Sequence, residues 1–427
     1  MLKFMTAARA AASGLLAAAM VLFLAEAAAA QTLRMWGPEQ LNDPEIAKLW
    51  NEIKADFEKR NPGVTVQYMQ PTGTISNGAV QAAIQSDAGP DVLLTNSGIG
   101  RVGVVANAKL VQPLGAAYEK RGWKDRLHPW LYAELKRQFD GEIYEFPDGL
   151  DVIGLWYHKD VMTQKGWQVP QTYAQLLALF DEARKAGLQP LVVGPRNNAS
   201  GGHLFGNLMQ VTAGRDKVGE VVAGKRPWTD PAIVASAQRV IDLVERGALA
   251  KDMVALDLDA AARLFFTKRA AFMFAGPWFT SNARRAGYDL DKAGFMPLPV
   301  DPGQGESLPT GGVGWSWMVS AKSKQTDLAL RWIDYIVSQE VMVKRATHAS
   351  NWMVFPQALP GLQPSTPILK TIFDSANKGV GYNPSVYIPG NVVEAYLQAI
   401  TGLVGGQVNA KDAMAGIQVQ AERAARP

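Results

Sequence analysis

The chain has 427 residues, of which 48% are hydrophobic and 19% charged, with a formal net charge of +4 and no cysteine. This composition is that of an ordinary globular protein. The absence of cysteine excludes disulfides, thiolate metal sites and a cysteine nucleophile. Charges of both signs alternate without a basic block, so we expect no nucleic-acid partner. The length is too great for one hydrophobic core, so we expect two domains.

Residues 1–30 have the pattern of an export signal. A basic start is followed by an apolar stretch over 15–24 and by four alanines that match the A-x-A cleavage rule. We expect cleavage near Ala30, so that the mature chain begins near Gln31. The apolar stretch is too short for a membrane anchor. Because no cysteine is present to carry a lipid, we expect a soluble protein of the periplasm.

Along the mature chain, apolar residues recur first at strand spacing and then at helical spacing. Strands and helices that take turns predict α/β layers with largely parallel sheets. Proline and glycine cluster at 147–149, 297–314 and 381–390, which are candidate hinge or cleft loops. In chain order the predicted elements are strand 32–36, a helix capped by Asn42 or Asp43 and running through 57, strand 64–69, helix 76–86, strand 91–95, strand 155–158, helix 173–183, strand 191–193, helix 231–245, strand 271–274, strand 317–320, helix 327–337 and helix 392–403.

Enzyme signatures are weak. The four histidines are not paired at metal-ligand spacing, and no G-x-S-x-G elbow occurs. The stretch 219–226 fits a phosphate-binding loop except at its last position, so we interpret it as a surface loop. Glu142, Glu145, Asp148 and Asp151 lie close in sequence, and glycoside hydrolysis needs two carboxylates across a cleft. We predict no catalytic residue, no metal and no cofactor, with an exported carbohydrate-active enzyme as an alternative.

Tryptophans at predicted strand ends are the more telling signal. Of the twelve tryptophans, Trp36, Trp278 and Trp315 each stand next to a Gly/Pro or Gly-rich turn. Loops at the carboxyl ends of strands form the crevice of an open α/β sheet. An aromatic face suits the apolar face of a pyranose ring. These three side chains are therefore candidate ligand contacts, whereas Trp50 and Trp332 lie on helix faces and are expected in the core.

The order and spacing of several short segments resemble the family 1 extracellular solute-binding proteins, over essentially the whole mature chain. The resemblance implies a two-lobed periplasmic binding protein fold of type II, with mixed, mostly parallel sheets, a hinge and a cleft between the lobes. It also implies a monomer that captures a carbohydrate and delivers it to the permease of an ABC importer. The segments are the strand ending at Trp36 and residues 86–92, 144–147, 155–160, 270–278 and 311–315.

The resemblance further implies how the chain divides. One lobe would take 31–149 and 311–356, and the other would take 150–310 and 357–427, with hinge crossings near 149 and 300–311. A receptor for another solute, such as a polyol phosphate or a polyamine, is the second alternative. It would need clustered carboxylates or paired basic residues at the cleft.

The resemblance also implies the ligand-binding residues. Asp151 would grip sugar hydroxyls, Trp278 and Tyr387 would stack on a ring, and Gly311 and Gly312 would offer backbone N–H groups. His203 is predicted to follow a strand and to reach the cleft. The full predicted set is Trp36, Glu39, Thr72, Asn96, Asp151, His203, Trp278, Gly311, Gly312, Trp315 and Tyr387.

Overall fold

A computed structural model of the chain describes residues 31–38, 44–72, 75, 78–196, 200–348, 354–355 and 363–425. Strands and helices alternate along these residues, as the hydrophobic pattern predicts. The predicted helix cap at Asn42 or Asp43 lies outside the described residues. The strands are β1 (Gln31–Trp36), β2 (Val64–Met69), β3 (Val92–Asn96), β4 (Phe146–His158), β5 (Gln189–Val192), β6 (Ala270–Ala275), β7 (Ala293–Met296), β8 (Thr310–Val319) and β9 (Gly381–Tyr382). The α-helices are α1 (Pro44–Arg60), α2 (Ala79–Gln85), α3 (Val102–Asn107), α4 (Gly115–Lys120), α5 (Pro129–Gln138), α6 (Lys159–Lys165), α7 (Tyr173–Lys185), α8 (Ser200–Ala213), α9 (Arg215–Val222), α10 (Pro231–Glu245), α11 (Leu258–Phe266), α12 (Phe279–Arg285), α13 (Thr326–Ile336), α14 (Gln339–Thr347), α15 (Pro367–Asn377), α16 (Pro384–Tyr387), α17 (Gly390–Gly405) and α18 (Ala410–Ala424).

One group of strands, called the β1 sheet below, runs in the order β2-β1-β3-β8 and ends on the first half of β4. β1 is parallel to both β2 and β3, and β3 is antiparallel to β8. The short strand β9 adds in parallel beside the start of β8. Because parallel strands end at one edge of a sheet, Trp36 of β1 and Asn96 of β3 finish at the same edge.

The second half of β4 belongs to another group of strands, called the β6 sheet below. There β4 pairs with β6 over Gly154–Tyr157 and with β7 over Leu155–His158, both antiparallel. β5 then joins β6 in parallel. One long strand therefore connects the two sheets, and no break in regular structure separates them along β4.

The α/β class is as predicted, but parallel pairs do not predominate. Among the described residues, four strand pairs are parallel and four are antiparallel. Every antiparallel pair involves β4 or β8. These two long strands run alongside each other in opposite directions. The strands that pair with them therefore include both parallel and antiparallel neighbours.

The predicted hinge loop at 147–149 is wrong, because these residues lie inside β4. The register between β4 and β8 shifts between Pro147 and Gly149 and again between Gly149 and Leu150. A bulge of this kind bends a strand without ending it. At the other predicted crossing, the loop that begins at 297 ends at Pro309, since β8 starts at Thr310.

Helix faces predicted from spacing are buried as expected. In α1, the buried residues are the five apolar positions that recur at helical spacing, Ile46 to Phe57. α10 has the predicted bounds, with the Asp230 side chain accepting a hydrogen bond from the backbone of Ala232 and Pro231 in the first turn. No described helix is both long enough and apolar enough to cross a membrane.

Several stretches differ from prediction. Residues 219–222 are the last turn of α9 rather than part of a surface loop, and only 223–226 form the turn that follows it. α8 and α18 were not predicted as helices at all. In α8, all but the last two residues are buried, so no polar stripe marks a helical period.

A buried ion pair ties α14 to β4. The Arg345 guanidinium donates from Nη1 to Asp148 Oδ1 at 2.8 Å and from Nη2 to Oδ2 at 2.7 Å. Trp317 Nε1 donates to the same Asp148 Oδ1 at 2.7 Å. The guanidinium lies 5.1 Å from the Trp50 ring and 5.0 Å from the Phe355 ring. Arg345 and Trp317 thus hold the bulged part of β4 through Asp148.

Candidate functional site

Asp151 is the acidic group available at the point where the two sheets meet. It lies on β4 opposite Gly312 of β8, and its side chain is partly exposed. Burial raises the pKa of Asp151 to about 6, while the positive charge of Arg101 acts in the opposite direction. No described residue donates a hydrogen bond to its carboxylate. Asp151 can therefore accept hydrogen bonds from a ligand.

Two glycines of β8 make room for Asp151, and a third makes room for Tyr387. A Cβ on Gly311 would lie 1.8 Å from the backbone oxygen of Asp151, and one on Gly314 would lie 2.5 Å from its Oδ1. Gly312 has φ +134°, and its Cβ would lie 2.0 Å from the hydroxyl of Tyr387. The glycine run that the sequence assigned to N–H donation is thus required for close packing.

Tyr387 closes one side of this arrangement. It is the last residue of α16, it is buried, and its ring meets that of Tyr382 edge-on at 5.1 Å. Burial raises its pKa well above the usual value. Its hydroxyl lies over Gly312, the residue that is paired with Asp151 in the β4–β8 register. The sequence predicts that the Tyr387 ring stacks on a ligand. Its contact with Tyr382 covers part of the ring surface that such stacking would need.

The loop after β3 reaches the segment that carries Tyr387. A Cβ on Gly98, at φ +109°, would lie 2.0 Å from the backbone oxygen of Val386, and one on Gly100 would lie 2.7 Å from that of Ile388. This close approach holds Arg101 near Asp151. Burial lowers the pKa of Arg101, and the charge of Asp151 opposes that effect. Each charge thus reduces the pKa shift that burial causes in the other group.

His203 and Trp278 form a second polar and aromatic pair. His203 lies in the first turn of α8, not after a strand as predicted, and its ring centroid is 5.5 Å from that of Trp278 at 52°. Burial lowers the pKa of His203 to about 4, and its Nδ1 has no partner among the described residues. The imidazole is thus neutral near pH 7 and able to hydrogen-bond.

The turn before α12 orients Trp278. A Cβ on Gly276 would lie 2.1 Å from the Trp278 ring, so the ring folds back over the glycine of the Gly-Pro-Trp motif. Trp278 remains partly exposed. That packing leaves an aromatic surface beside His203 for an apolar ring face.

A hydrogen-bond link connects this pair to the Asp151 side of the site. Asn207, one turn further along α8, donates from Nδ2 to the backbone oxygen of His203 at 2.9 Å and to Thr310 Oγ1 at 2.8 Å. Thr310 directly precedes Gly311. The structure therefore holds α8 against the strand that supports Asp151.

The remaining predicted residues take other positions. Trp36 is only 4% exposed and belongs to a buried apolar cluster with Leu93, Val102 and Met318, so it offers no free ring face. Trp315 and Asn96 are partly exposed and face each other in the β3–β8 register. Thr72 is exposed just after β2, and Glu39 lies outside the described residues.

The four clustered carboxylates do not share a cleft. Asp148 is paired with Arg345, Glu145 is fully buried, and Glu142 accepts a hydrogen bond from the backbone of Ile143. Asp151 alone lies at the site, so the described residues supply no second carboxylate of this group for glycoside hydrolysis. The described part of the chain also contains no group of three metal-ligating side chains.

Sequence reasoning missed Arg101 and the steric role of Gly314. A basic residue five positions after β3, in a loop with Gly98 and Gly100, was the signal that could have pointed to Arg101. Gly314 belonged to the quoted glycine run, but only the Asp151 side chain above it reveals its function.

A separate cavity of about 610 Å³ has Tyr387 in its wall. Its walls come from Ile99, the end of α5, the end of α9 and helices α17 and α18, and Tyr387 is the sole predicted site residue that lines it. The Asp151 carboxylate and the His203–Trp278 pair do not border this cavity.

Comparison with known sequences gives a consistent picture. A sequence model described as bacterial extracellular solute-binding protein matches residues 43–343. The alpha-glucosides-binding periplasmic protein AglE of Rhizobium meliloti (strain 1021) is 24% identical over 423 residues, 91% of this chain and 86% of its own length. The maltodextrin-binding protein MdxE of Bacillus subtilis (strain 168) is 24% identical over 299 residues, 66% of this chain and 64% of its own.

Solved structures share the fold. A chitin oligosaccharide binding protein superposes with a TM-score of 0.74 at 21% identity, covering 92% of this chain and all of its own. The bacterial solute receptor AcbH, described as having an exclusive substrate preference for β-D-galactopyranose, superposes with a TM-score of 0.76 at 20% identity, covering 93% of this chain and 100% of its own. The predicted α/β fold of the periplasmic binding proteins is confirmed.

Proposed function

Because the chain belongs to the bacterial extracellular solute-binding protein family, we propose that it captures a carbohydrate between two lobes and delivers it to an ABC importer permease. Two observations support the proposal: the charge of Arg101 acts on Asp151 of β4, and the His203–Trp278 pair is linked through Asn207 to Thr310 of the neighbouring strand β8. A carboxylate accepts from hydroxyls, a guanidinium donates to them, and an aromatic face takes the apolar side of a sugar ring.

The charge balance of the site favours a neutral ligand. Asp151 and Arg101 offset each other, and His203 is neutral near pH 7 because burial lowers its pKa to about 4. A polyamine would need several carboxylates, and a polyol phosphate would need at least two unopposed cations. The names of AglE, MdxE and the chitin oligosaccharide binding protein support a sugar in the same way.

Binding without catalysis is the simplest role for these groups. Asp151 has no second carboxylate from its own sequence cluster across from it, and the family is described by the binding of solutes. A lone carboxylate beside a guanidinium holds hydroxyls but lacks the acid and base pair of a glycosidase. The chain is therefore proposed to release its sugar unchanged.

The organisation of the exported protein follows the same reasoning. The β1 sheet would form the core of one lobe (31–149 and 311–356) and the β6 sheet that of the other (150–310 and 357–427). The paired strands β4 and β8 would be the crossings about which the lobes close. Cleavage near Ala30 would release a monomer into the periplasm.

A thermal-shift screen of the mature chain tests the proposal. Galactose, maltose, chitobiose, xylobiose, spermidine and glycerol phosphate serve as probes, because a ligand that binds only the folded state raises the melting temperature. We expect at least one carbohydrate to raise it and the amine and phosphate to leave it unchanged. If only spermidine or glycerol phosphate raises it, the carbohydrate assignment is wrong.

Two tryptophan variants locate the site. Trp278→Ala should remove the thermal shift while the fold is retained. Trp167→Ala, which removes another partly exposed tryptophan outside the site, should keep the shift. An unchanged shift in Trp278→Ala would remove this residue from the site.

A further inference from the structure

Glu145 is a buried carboxyl without a basic partner. It stands one residue before β4 and is fully buried. No Lys, Arg or His of the described residues acts on its carboxyl. By contrast Asp148, three residues after Glu145, is paired with Arg345. An ionised carboxylate without a counter-ion is strongly disfavoured in such surroundings. Burial accordingly raises the pKa of Glu145, so the neutral acid is favoured there.

Two serine hydroxyls face this carboxyl. Ser97 follows β3 and Ser316 lies on β8, and both act to lower the pKa of Glu145, against the larger effect of burial. Both hydroxyl oxygens and both carboxyl oxygens are buried, and none of the four has another hydrogen-bond partner among the described residues. The other titratable group at hand is Tyr118, whose hydroxyl donates to the backbone oxygen of Glu145 at 2.9 Å.

Ser97 connects Glu145 to the candidate site. Its backbone N–H donates to the oxygen of Gly314 at 3.1 Å, and its backbone oxygen accepts from Arg101 Nη1 at 3.4 Å. Gly314 lies under the Asp151 carboxylate, and Arg101 supplies the positive charge that acts on it. A displacement of Ser97 would therefore move both Gly314 and Arg101, the two residues that act on Asp151.

We propose that Glu145 is a positioning residue that works as a neutral acid, bridging Ser97 and Ser316 and so holding Gly314 and Arg101 in place around Asp151. A protonated carboxyl has one donor and spare acceptor sites, and each serine hydroxyl can donate and accept, so the three groups can satisfy one another. The effect on ligand affinity depends on the proposed function, whereas the protonation of Glu145 does not.

Two substitutions separate this role from simple packing. Glu145→Gln keeps a donor and an acceptor, so it should bind the carbohydrate with the largest thermal shift about as well as wild type. Glu145→Leu keeps the volume but leaves both buried serines without a partner, so it should lose about tenfold in affinity and also lower the melting temperature. Equal affinity of the Leu variant and wild type would overturn the proposal.

The pH dependence of affinity gives a readout that packing alone would not change. Glu145 is neutral below its pKa, so in wild type the bridge is lost as pH rises, whereas Glu145→Gln cannot ionise. Across about pH 5 to about pH 9, wild-type affinity should fall relative to that of the Gln variant. Titration of Asp151 affects both proteins alike, so their ratio isolates Glu145. A flat ratio would contradict the bridge.

Infrared difference spectroscopy decides the protonation state without any ligand. At about pH 5, just above the ordinary pKa of a glutamate, all other carboxyls contribute equally to the spectra of the two proteins and cancel in the difference. Wild type minus Glu145→Gln should then show the carbonyl band of one protonated carboxyl. Absence of the band overturns the proposal even if Glu145→Leu fails to fold. A screen without any carbohydrate hit, together with a clear band, would refute the proposed function and leave the neutral acid standing.

Discussion

Replacement of Arg345 by methionine should lower the free energy of unfolding by about 3–5 kcal/mol. The change keeps an unbranched apolar stem but removes both hydrogen bonds to Asp148. In the Arg345–Asp148 pair the side chains are 4% and 0% exposed, so water cannot replace the lost partner. Among the described residues, the hydrogen bond that Asp148 would retain is the one from Trp317 Nε1.

The chain contains a matched control for this experiment. Arg246 makes the same two-pronged contact with Asp181, at 3.0 Å and 2.6 Å, but these side chains are 39% and 29% exposed. Because water solvates the groups left behind, Arg246→Met should cost at most about 1 kcal/mol. Both pairs join a guanidinium to a carboxylate through two hydrogen bonds, and they differ in burial and in the contacts of Arg345 with the Trp50 and Phe355 rings.

Urea unfolding followed by tryptophan fluorescence measures the difference. With a denaturant slope of about 3 kcal/mol/M, Arg345→Met should lower the midpoint by about 1 M or more and Arg246→Met by about 0.3 M or less. The double variant Asp148→Asn with Arg345→Met removes the stranded charge and keeps an acceptor for Trp317, so it should recover most of the loss. Equal midpoints for the two single variants would refute the reasoning.

Three further predictions concern glycine packing, acid stability and ligand contact. Gly312→Ala should destabilise the fold by about 2 kcal/mol or more, because φ is +134° and the Cβ would lie 2.0 Å from the Tyr387 hydroxyl. Gly416→Ala, in open space on α18, should instead stabilise it by about 0.5–1 kcal/mol in the same urea assay. Burial lowers the pKa of His158 to about 4, so the unfolded chain takes up its proton first as pH falls from about 6.5. Between pH 7 and pH 4 the free energy of unfolding of wild type should therefore fall by about 3 kcal/mol more than that of His158→Gln. An equal fall in both proteins would contradict this. Asp151→Asn should weaken carbohydrate binding about tenfold at pH 8 by calorimetry. It should not lower the melting temperature, because a carboxyl whose pKa is raised by burial does not stabilise the fold when it is ionised. Full affinity would show that Asp151 is no contact.

The elements that the sequence predicts best are those whose pattern is local. α10 combines an aspartate cap, a proline in the first turn and a regular apolar face, and its predicted bounds agree with the structure. α8 has none of these signals within its described residues, because it is buried almost all round and carries three glycines. Its position is set by packing against β8, α10 and α17, which periodicity does not report.

The tryptophan argument shows a different limit. Trp36 and Trp278 both stand beside Gly-Pro at the end of a strand, so the sequence treats them alike. Trp36 packs into the buried cluster of the β1 sheet, whereas Trp278 folds back over Gly276 and stays partly exposed. The turn predicts that a ring will be near the edge of the sheet. Which side of the edge it takes depends on residues distant in sequence, such as Met318 and His203.

The acidic residues around the start of β4 show why chemistry is the last thing a sequence yields. Glu145, Asp148 and Asp151 have equal spacing and similar side chains, yet each ends in a different electrostatic state. Among the described residues, Asp148 is paired with Arg345 of α14, the charge of Arg101 acts on Asp151, and the side chains that act on Glu145 are two serines. The partners come from elements 50 to nearly 200 residues away, as the separations of Asp148 from Arg345 (197) and of Asp151 from Arg101 (50) make plain. A carboxylate is a stabilising ion pair, a ligand contact or a neutral bridge according to what the fold places opposite it, so the three roles can be separated only after the strands are in register.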